Sequence, residues 1–296
     1  MTEQFKIAFL GTPEFAVKTL DELKKAGITP SIVITAPDKP KGRKLALTPP
    51  PVKIWADKEK IPTLQPVKLK DIYTKLKQED WDVFILAAYG KIIPKEIINI
   101  PKHGILNIHP SLLPKYRGAS PMQSAILAGD IKFGTTIMLL DEELDHGPIL
   151  AQEELESGNQ YPKLSELEDA LSGLSVAILS KIIPLWIKGE ITPRDQIHEE
   201  ATYTKKIEKK DARINLDGND EINYRKIRAF YPRPGAYFLL NKNKKPFRII
   251  VTEASFYKGR LYIKKIKPEG KKEMAFSDFV KGNPGLISQF PEKIII

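Results

Sequence analysis

The chain has 296 residues, 42% hydrophobic and 28% charged, enough for one large or two modest domains with real cores. It contains no cysteine, which excludes disulfides, thiolate nucleophiles and cysteine-based metal sites. No signal-peptide pattern and no apolar run of membrane-spanning length is read in it, so a cytoplasmic protein without membrane attachment is expected. Its net charge of +10 is concentrated, since residues 209–296 hold 20 Lys and Arg against 9 Asp and Glu, whereas residues 1–208 hold 27 against 28. The C-terminal part is therefore +11 and the remainder −1. That asymmetry fits a polyanion-binding region on a neutral body, or a solvated Lys-rich surface.

In chain order, Phe5 to Gly11 predicts a buried strand ending in a glycine turn. Pro13 suits the first turn of a helix with the apolar stripe Phe15, Val17, Leu20 and Leu23, and Gly27 falls near its C′ position. Ser31 to Thr35 is the next strand, giving a strand–helix–strand opening that favours a parallel sheet with a right-handed crossover. Ala36 to Pro51, rich in proline and basic residues, predicts a structureless surface loop of 16 residues. Long loops of this kind are often binding elements, and its charge makes nucleic acid the natural partner. Helices are expected over 52–60 and 69–77, and strands over 81–89 and 104–109. A helix from Ser120 closed by Gly129, a strand over 135–140 and a helical period over 163–187 broken near Pro184 follow.

Lys188 to Ala201 is polar and irregular and predicts an interdomain connection. Beyond Lys209 short alternating strands take over at 236–240, 247–252, 261–266 and 286–290, which suggests a small OB-like β-barrel. The expected organisation is α/β: a Rossmann-like, mostly parallel sheet domain over 1–188, a linker over 189–208 and an OB-like domain over 209–296.

The chemistry centres on Asn107-Ile108-His109-Pro110-Ser111-Leu112-Leu113-Pro114 and on Asp145-His146-Gly147. Residues two apart on an extended segment share a face, so Asn107 and His109 could hold a polarised carbonyl between an amide donor and an imidazole. A carboxylate from a second loop, Asp145, could orient the imidazole or carry its proton. The bland alternative is a turn-forming polar pair and a turn aspartate before glycine. Ser111 to Pro114 reads as an apolar, strand-like edge able to pair its backbone with a flat heterocycle. Gly11-Thr12-Pro13 lacks the G-x-G-x-x-G fingerprint, so nicotinamide and flavin cofactors drop out, as do P-loop nucleotides. A metal held by His109, Asp145 and His146 has no supporting spacing, and none is expected.

These segments, with Gly11-Thr12-Pro13-Glu14-Phe15, Pro37-Asp38-Lys39-Pro40-x-Gly42-Arg43, Tyr116-Arg117-Gly118, Asp211-Ala212-Arg213-Ile214 and Ile227-Arg228-Ala229-Phe230-x-Pro232-x-Pro234-Gly235-Ala236, cover nearly the whole chain. Together they resemble the folate-dependent formyltransferases, and the basic Pro/Gly loop and basic C-terminal part single out the methionyl-tRNA branch. The resemblance implies formyl transfer from N10-formyltetrahydrofolate, without metal, to the α-amine of initiator methionyl-tRNA. Asn107 and His109 would stabilise the oxyanion, and Asp145 would orient His109 and help relay the amine proton. Ser111, Leu112, Leu113, Pro114, Tyr89 and Gly90 would line the folate pocket. Lys41, Arg43 and Lys44 would meet the acceptor end of the tRNA, and the C-terminal domain would grip its phosphates. One departure is that Leu45-Ala46-Leu47 follows Lys44, leaving fewer clustered cations there. A monomer is expected. The competing readings are a formyltransferase for another amine, such as a sugar nucleotide, a formyl-folate hydrolase, and an idle RNA-binding protein.

Overall fold

The computed structural model describes residues 5–41, 45–156, 161–242, 244–291 and 294. Arg43 and Lys44 lie outside the described residues. The chain forms two compact units, one of Met1–Pro121, Lys132–Glu156 and Glu168–Thr204, the other of Met122–Ile131, Ser157–Leu167 and Lys205–Ile296.

The first unit is built on seven strands: β1 (Ile7–Gly11), β2 (Ile32–Ile34), β5 (Thr63–Leu64), β6 (Val83–Ala87), β7 (Ile105–His109), β9 (Gly134–Leu139) and β10 (Ile149–Glu154). Between them in sequence fall a short pair, β3 (Lys39–Lys41) with β4 (Ala46–Thr48), and β8 (Arg117–Gly118), which pairs with β11 (Tyr203–Thr204). The sheet order is β10-β9-β7-β6-β1-β2-β5, parallel from β7 to β5 and antiparallel at β9 and β10. Every residue of β1, β2, β6 and β7 is buried, the pattern of strands covered on both faces. Helix α1 (Glu14–Lys25) buries Phe15, Ala16, Thr19, Leu20 and Leu23, and α2 (Pro51–Lys58) starts with Pro51 at N1. Each fully buried large apolar side chain contributes about 1.5–3 kcal/mol.

Four expectations give way to what the backbone does. The loop over 36–51 is not structureless: Lys39–Lys41 and Ala46–Thr48 pair antiparallel, with Pro40 opposite Leu47 on a two-stranded ribbon that joins no larger sheet, so its missing N–H costs little. Helix α3 (Leu164–Ile187) continues past Pro184, which forgoes only its own bond to the Ser180 carbonyl, and the Pro184 carbonyl still accepts from the Lys188 N–H at 3.2 Å. By length and composition that helix could also cross a membrane, contrary to the reading of no such run. Its residues Leu171, Leu179 and Ile183 are buried within the protein, and Ser175 Oγ hydrogen-bonds Thr135 Oγ1 of β9 at 2.8 Å. The presumed connection over 189–208 is also ordered. Arg194 pairs with Ile149, Gln196 is buried, and Tyr203–Thr204 form β11, all within the first unit.

The second unit carries a small antiparallel sheet, β12 (Tyr237–Lys242), β13 (Lys245–Tyr257), β14 (Arg260–Pro268) and β15 (Met274–Ala275), in that order. Alternation along β14 buries Leu261, Ile263 and Ile266 and leaves Arg260, Lys264 and Lys267 exposed. Helix α4 (Asp220–Ala229), capped by Asn219 accepting from the Ile222 N–H, supplies Ile227 to the same core. The segment 286–290 is not a strand. Pro284–Gln289 forms a 3-10 helix, and Phe290 packs edge-on against Phe238 and Phe276, with centroids 5.9 and 5.4 Å away. Pro284 has no N–H for a ladder, and the aromatic cluster fixes the chain in its place.

Candidate functional site

Strand β7 places Asn107 third and His109 last in a wholly buried run, on one face of the sheet, with Leu106 and Ile108 on the other. Asn107 lies in register between Leu86 and Met138, and His109 opposite Thr136. Polar side chains on a central strand need partners, and two returning segments provide them.

The first return is the turn after β7. Ser111 Oγ donates to the Lys115 carbonyl at 2.7 Å, so the chain doubles back, and the Tyr116 carbonyl comes to 2.9 Å from His109 Nε2. A carbonyl only accepts, so Nε2 carries the proton and the Nδ1 lone pair is the basic one. Tyr116 reaches this position with φ of +64°. The second return joins β9 to β10. Its residue Asp145, at φ +48°, turns its carboxylate onto the pair. Oδ2 accepts from the Gly118 N–H at 2.6 Å and stands 3.6 Å from His109 Nδ1, while Oδ1 accepts from Asn107 Nδ2 at 3.3 Å. The Asp-x-Gly spacing has a steric cause, because a Cβ on Gly147 would lie 2.0 Å from the Leu139 carbonyl oxygen.

Asn107, His109 and Asp145 thus converge, but the division of labour differs from the expected one. His109 is oriented by the Tyr116 carbonyl. Asp145 is oriented by Gly118 and Asn107, and it faces the basic nitrogen of His109 without bonding it. One Asn107 amide hydrogen points to Asp145, and the other meets no acceptor among the described residues, so it can serve a ligand oxygen. The side chains of His109 and Asp145 are only 5% and 13% exposed, so charges there interact strongly. His146 does not join them: its Nδ1 pairs with Asp141 Oδ2 at 2.7 Å and its ring stacks on His198 with centroids 4.0 Å apart. Among the described residues no group of three His, Asp or Glu side chains could hold a metal ion.

The remaining candidates divide. Ser111 to Pro114 is a turn rather than a strand edge, because its backbone is already engaged. The Ser111 carbonyl accepts from Thr136 Oγ1 at 2.7 Å, and the Leu113 carbonyl accepts from Gln152 at 2.8 Å. Leu113 is buried with Met138 and Ile149, while Leu112 and Pro114 are half-buried. Tyr89 and Gly90 follow β6 at the carboxyl edge of the sheet, and Thr12, after β1, donates to the Tyr89 carbonyl at 3.2 Å. The strand order reverses between β1 and β6, and the crevice outside such a switch point is where open α/β sheets take ligands. Gly90 has open space around it. The Tyr89 hydroxyl is buried with no hydrogen-bond partner among the described residues, and burial pushes its phenol up to about 12. Lys41 is exposed at the end of β3.

Sequence reasoning missed Gln196 and, although Tyr116-Arg117-Gly118 stood out as a motif, gave Arg117 no role. Arg117 is 2% exposed, and its Nε and Nη2 both donate to Gln196 Oε1, at 3.1 and 2.7 Å. Gln196 Nε2 in turn donates to the carbonyls of Asp145 and Gly147, at 2.9 and 2.8 Å.

A family model described as "Formyl transferase" matches residues 5–183, and one described as "Formyl transferase, C-terminal domain" matches residues 206–258. The methionyl-tRNA formyltransferase of Halalkalibacterium halodurans is 37% identical over 300 residues, 94% of each chain. That of Chloroflexus aurantiacus is 44% identical over 247 residues, 83% of this chain and 79% of its own. Among solved structures, the methionyl-tRNA formyltransferase from Clostridium thermocellum superposes with a TM-score of 0.59 at 20% identity, over 89% of this chain and 98% of its own. At that identity the likeness is one of fold.

Proposed function

The chain belongs to the formyl transferase family, whose N-terminal and C-terminal models it matches over residues 5–183 and 206–258; from that premise we propose that it formylates the α-amine of initiator methionyl-tRNA. The observation that carries the reading is the convergence of Asn107, His109 and Asp145, in a chain similar to methionyl-tRNA formyltransferases along almost its full length. The N10-formyltetrahydrofolate co-substrate supplies the formyl group. Tyr89 and Gly90, which follow β6 at the switch point of the sheet, would border it, and a Cβ on Gly90 would meet nothing, so the backbone there leaves room. Ser111 to Pro114 would form the wall on the β7 side.

The residues present can do the chemistry. As the amine nitrogen attacks the formyl carbon, Asn107 Nδ2–H donates to the carbonyl oxygen on which charge develops. His109 takes the amine proton at Nδ1, the nitrogen left free by the Tyr116 carbonyl. Asp145 then stabilises the imidazolium from 3.6 Å. His109 returns the proton to the departing folate nitrogen as its bond to the formyl carbon breaks. Each group is held before the substrates arrive, so little reorganisation is needed.

The tRNA is met by the basic residues Lys41, Arg43 and Lys44 and by the +11 C-terminal part, whose exposed Arg260, Lys264 and Lys267 would neutralise phosphates in a salt-sensitive way. The enzyme acts as a monomer in the cytoplasm. Single-turnover formylation with N10-formyltetrahydrofolate tests the reading. Fast transfer to initiator but not elongator methionyl-tRNA is expected. Transfer to an amino-sugar nucleotide in place of either tRNA would overturn it.

A further inference from the structure

Asp145 sits at positive φ in a nine-residue connection over 140–148, and such a backbone holds its shape only when its surroundings dictate it. The residue that dictates it comes from a stretch that reads as a polar linker. Gln196 is 5% exposed and its amide is fully used: both hydrogens go to the carbonyls of Asp145 and Gly147, and its oxygen accepts twice from the buried Arg117. Arg117 also donates to His198 Nδ1 at 2.8 Å, and the His198 ring stacks on that of His146, the residue between the two held carbonyls.

The same segment braces the other half of the site. The Thr202 carbonyl accepts from the Arg117 N–H and Thr202 Oγ1 from the Tyr116 N–H, both at 2.8 Å. Thr202 also donates its own N–H to the Pro114 carbonyl at 3.3 Å. Residues 194–204 therefore grip both the loop that carries Asp145 and the turn whose Tyr116 carbonyl orients His109.

We infer that Gln196 is a positioning residue for the transfer: through the Asp145 and Gly147 carbonyls it fixes the Asp145 carboxylate on Gly118 and opposite His109 Nδ1. This rests on the role given to Asp145 above. A merely structural glutamine would serve to satisfy Arg117, and the two roles separate in Gln196→Glu. That change keeps the length and gives Arg117 a carboxylate, but it sets acceptor-only oxygens against the two carbonyls.

In the full-length protein, Gln196→Glu is expected to retain its folding transition and to bind tRNA and formyl folate within about twofold of the parent, while the single-turnover rate at saturation falls about 10- to 100-fold. In an Asp145→Asn background the same change should cost under about threefold, because the group it positions is gone. An unchanged rate, or the same loss in both backgrounds, would overturn the inference. Should Gln196→Glu not fold, Gln196→Asn, which keeps an amide but withdraws its reach by one methylene, carries the same cycle. Asp145→Asn alone at the parental rate would refute the role of Asp145 itself. A slow Asp145→Asn beside a fully active Gln196→Glu would refute only the positioning role.

Discussion

Asp145→Asn removes a charge and changes almost nothing else in size, so its cost can be worked from the geometry. When His109 holds the proton of the attacking amine, it carries a positive charge 3.6 Å from Asp145 Oδ2. Two unit charges at that distance attract by about 4–5 kcal/mol at an effective dielectric of about 20, the value suited to a site this enclosed. At about 1.36 kcal/mol per power of ten, the substitution should slow the chemical step by roughly a thousandfold. The tautomer of His109 should survive, because the Tyr116 carbonyl and not Asp145 selects it. Stability should change modestly: Asn can still accept from the Gly118 N–H through its oxygen, but its NH2 then meets the Asn107 amide hydrogen, an exchange worth about 1–3 kcal/mol. The assay is rapid-quench single-turnover formylation with both substrates saturating, with denaturant unfolding in parallel. A rate loss below tenfold in a folded variant would refute the electrostatic argument.

Other consequences are equally open to measurement. Asn107→Ala should lower turnover by about 10²–10³ through loss of an oxyanion donor, with tRNA affinity by filter binding little changed; a parental turnover would remove Asn107 from the site. Gly118→Ala should cost on the order of 2–5 kcal/mol in urea unfolding, from a strained φ of +110° and a Cβ placed 2.6 Å from the Thr204 carbonyl oxygen; a loss under about 1 kcal/mol would mean that β8 and β11 move apart freely. Tyr89 keeps its proton in the folded state up to about pH 12, above its unfolded value of 10.0. The stability tied to the neutral phenol is therefore complete below pH 10 and is lost as pH rises through 12. Tyr89→Phe should flatten that alkaline fall and leave the protein at least as stable at pH 7, since the hydroxyl has no partner among the described residues to lose; an identical alkaline profile would contradict it.

The parallel sheet was legible because β1, β2, β6 and β7 are largely apolar runs of strand length bounded by turn and helix signals, and length and flanking residues, not periodicity, mark such runs as strands buried on both faces. Asn107 and His109 stood out for the same reason: a polar side chain inside such a run must be answered by something. What answers them was not legible. His109 is held by a main-chain carbonyl, and Gln196 acts on two more, and main-chain groups leave no residue-specific trace. Gln196 itself sits among exposed charged residues, so nothing in composition marks it as buried. The segment Leu286-Ile287-Ser288-Gln289-Phe290 is too short for its pattern to separate strand from helix, and Pro284 together with the Phe238–Phe276–Phe290 cluster decides for a 3-10 turn. The β3–β4 pair was hidden by Pro40, which is excluded from central strands but tolerated on a two-stranded ribbon.

The two parts of the reacting constellation belong to different thermodynamic compartments. Asn107 and His109 are members of a central strand, bonded on both sides, and can leave their places only when the sheet itself opens. Asp145 rides on a connection whose shape depends on a few hydrogen bonds from residues 194–204, and it can be released by local opening while the sheet stays intact. Warming or mild denaturant would then divide the population into molecules that keep the oxyanion donor and the base but lose the counter-charge. Such a protein would fade in activity well before it unfolds, and would recover at once on cooling, because the strand that templates the rest never dissolves.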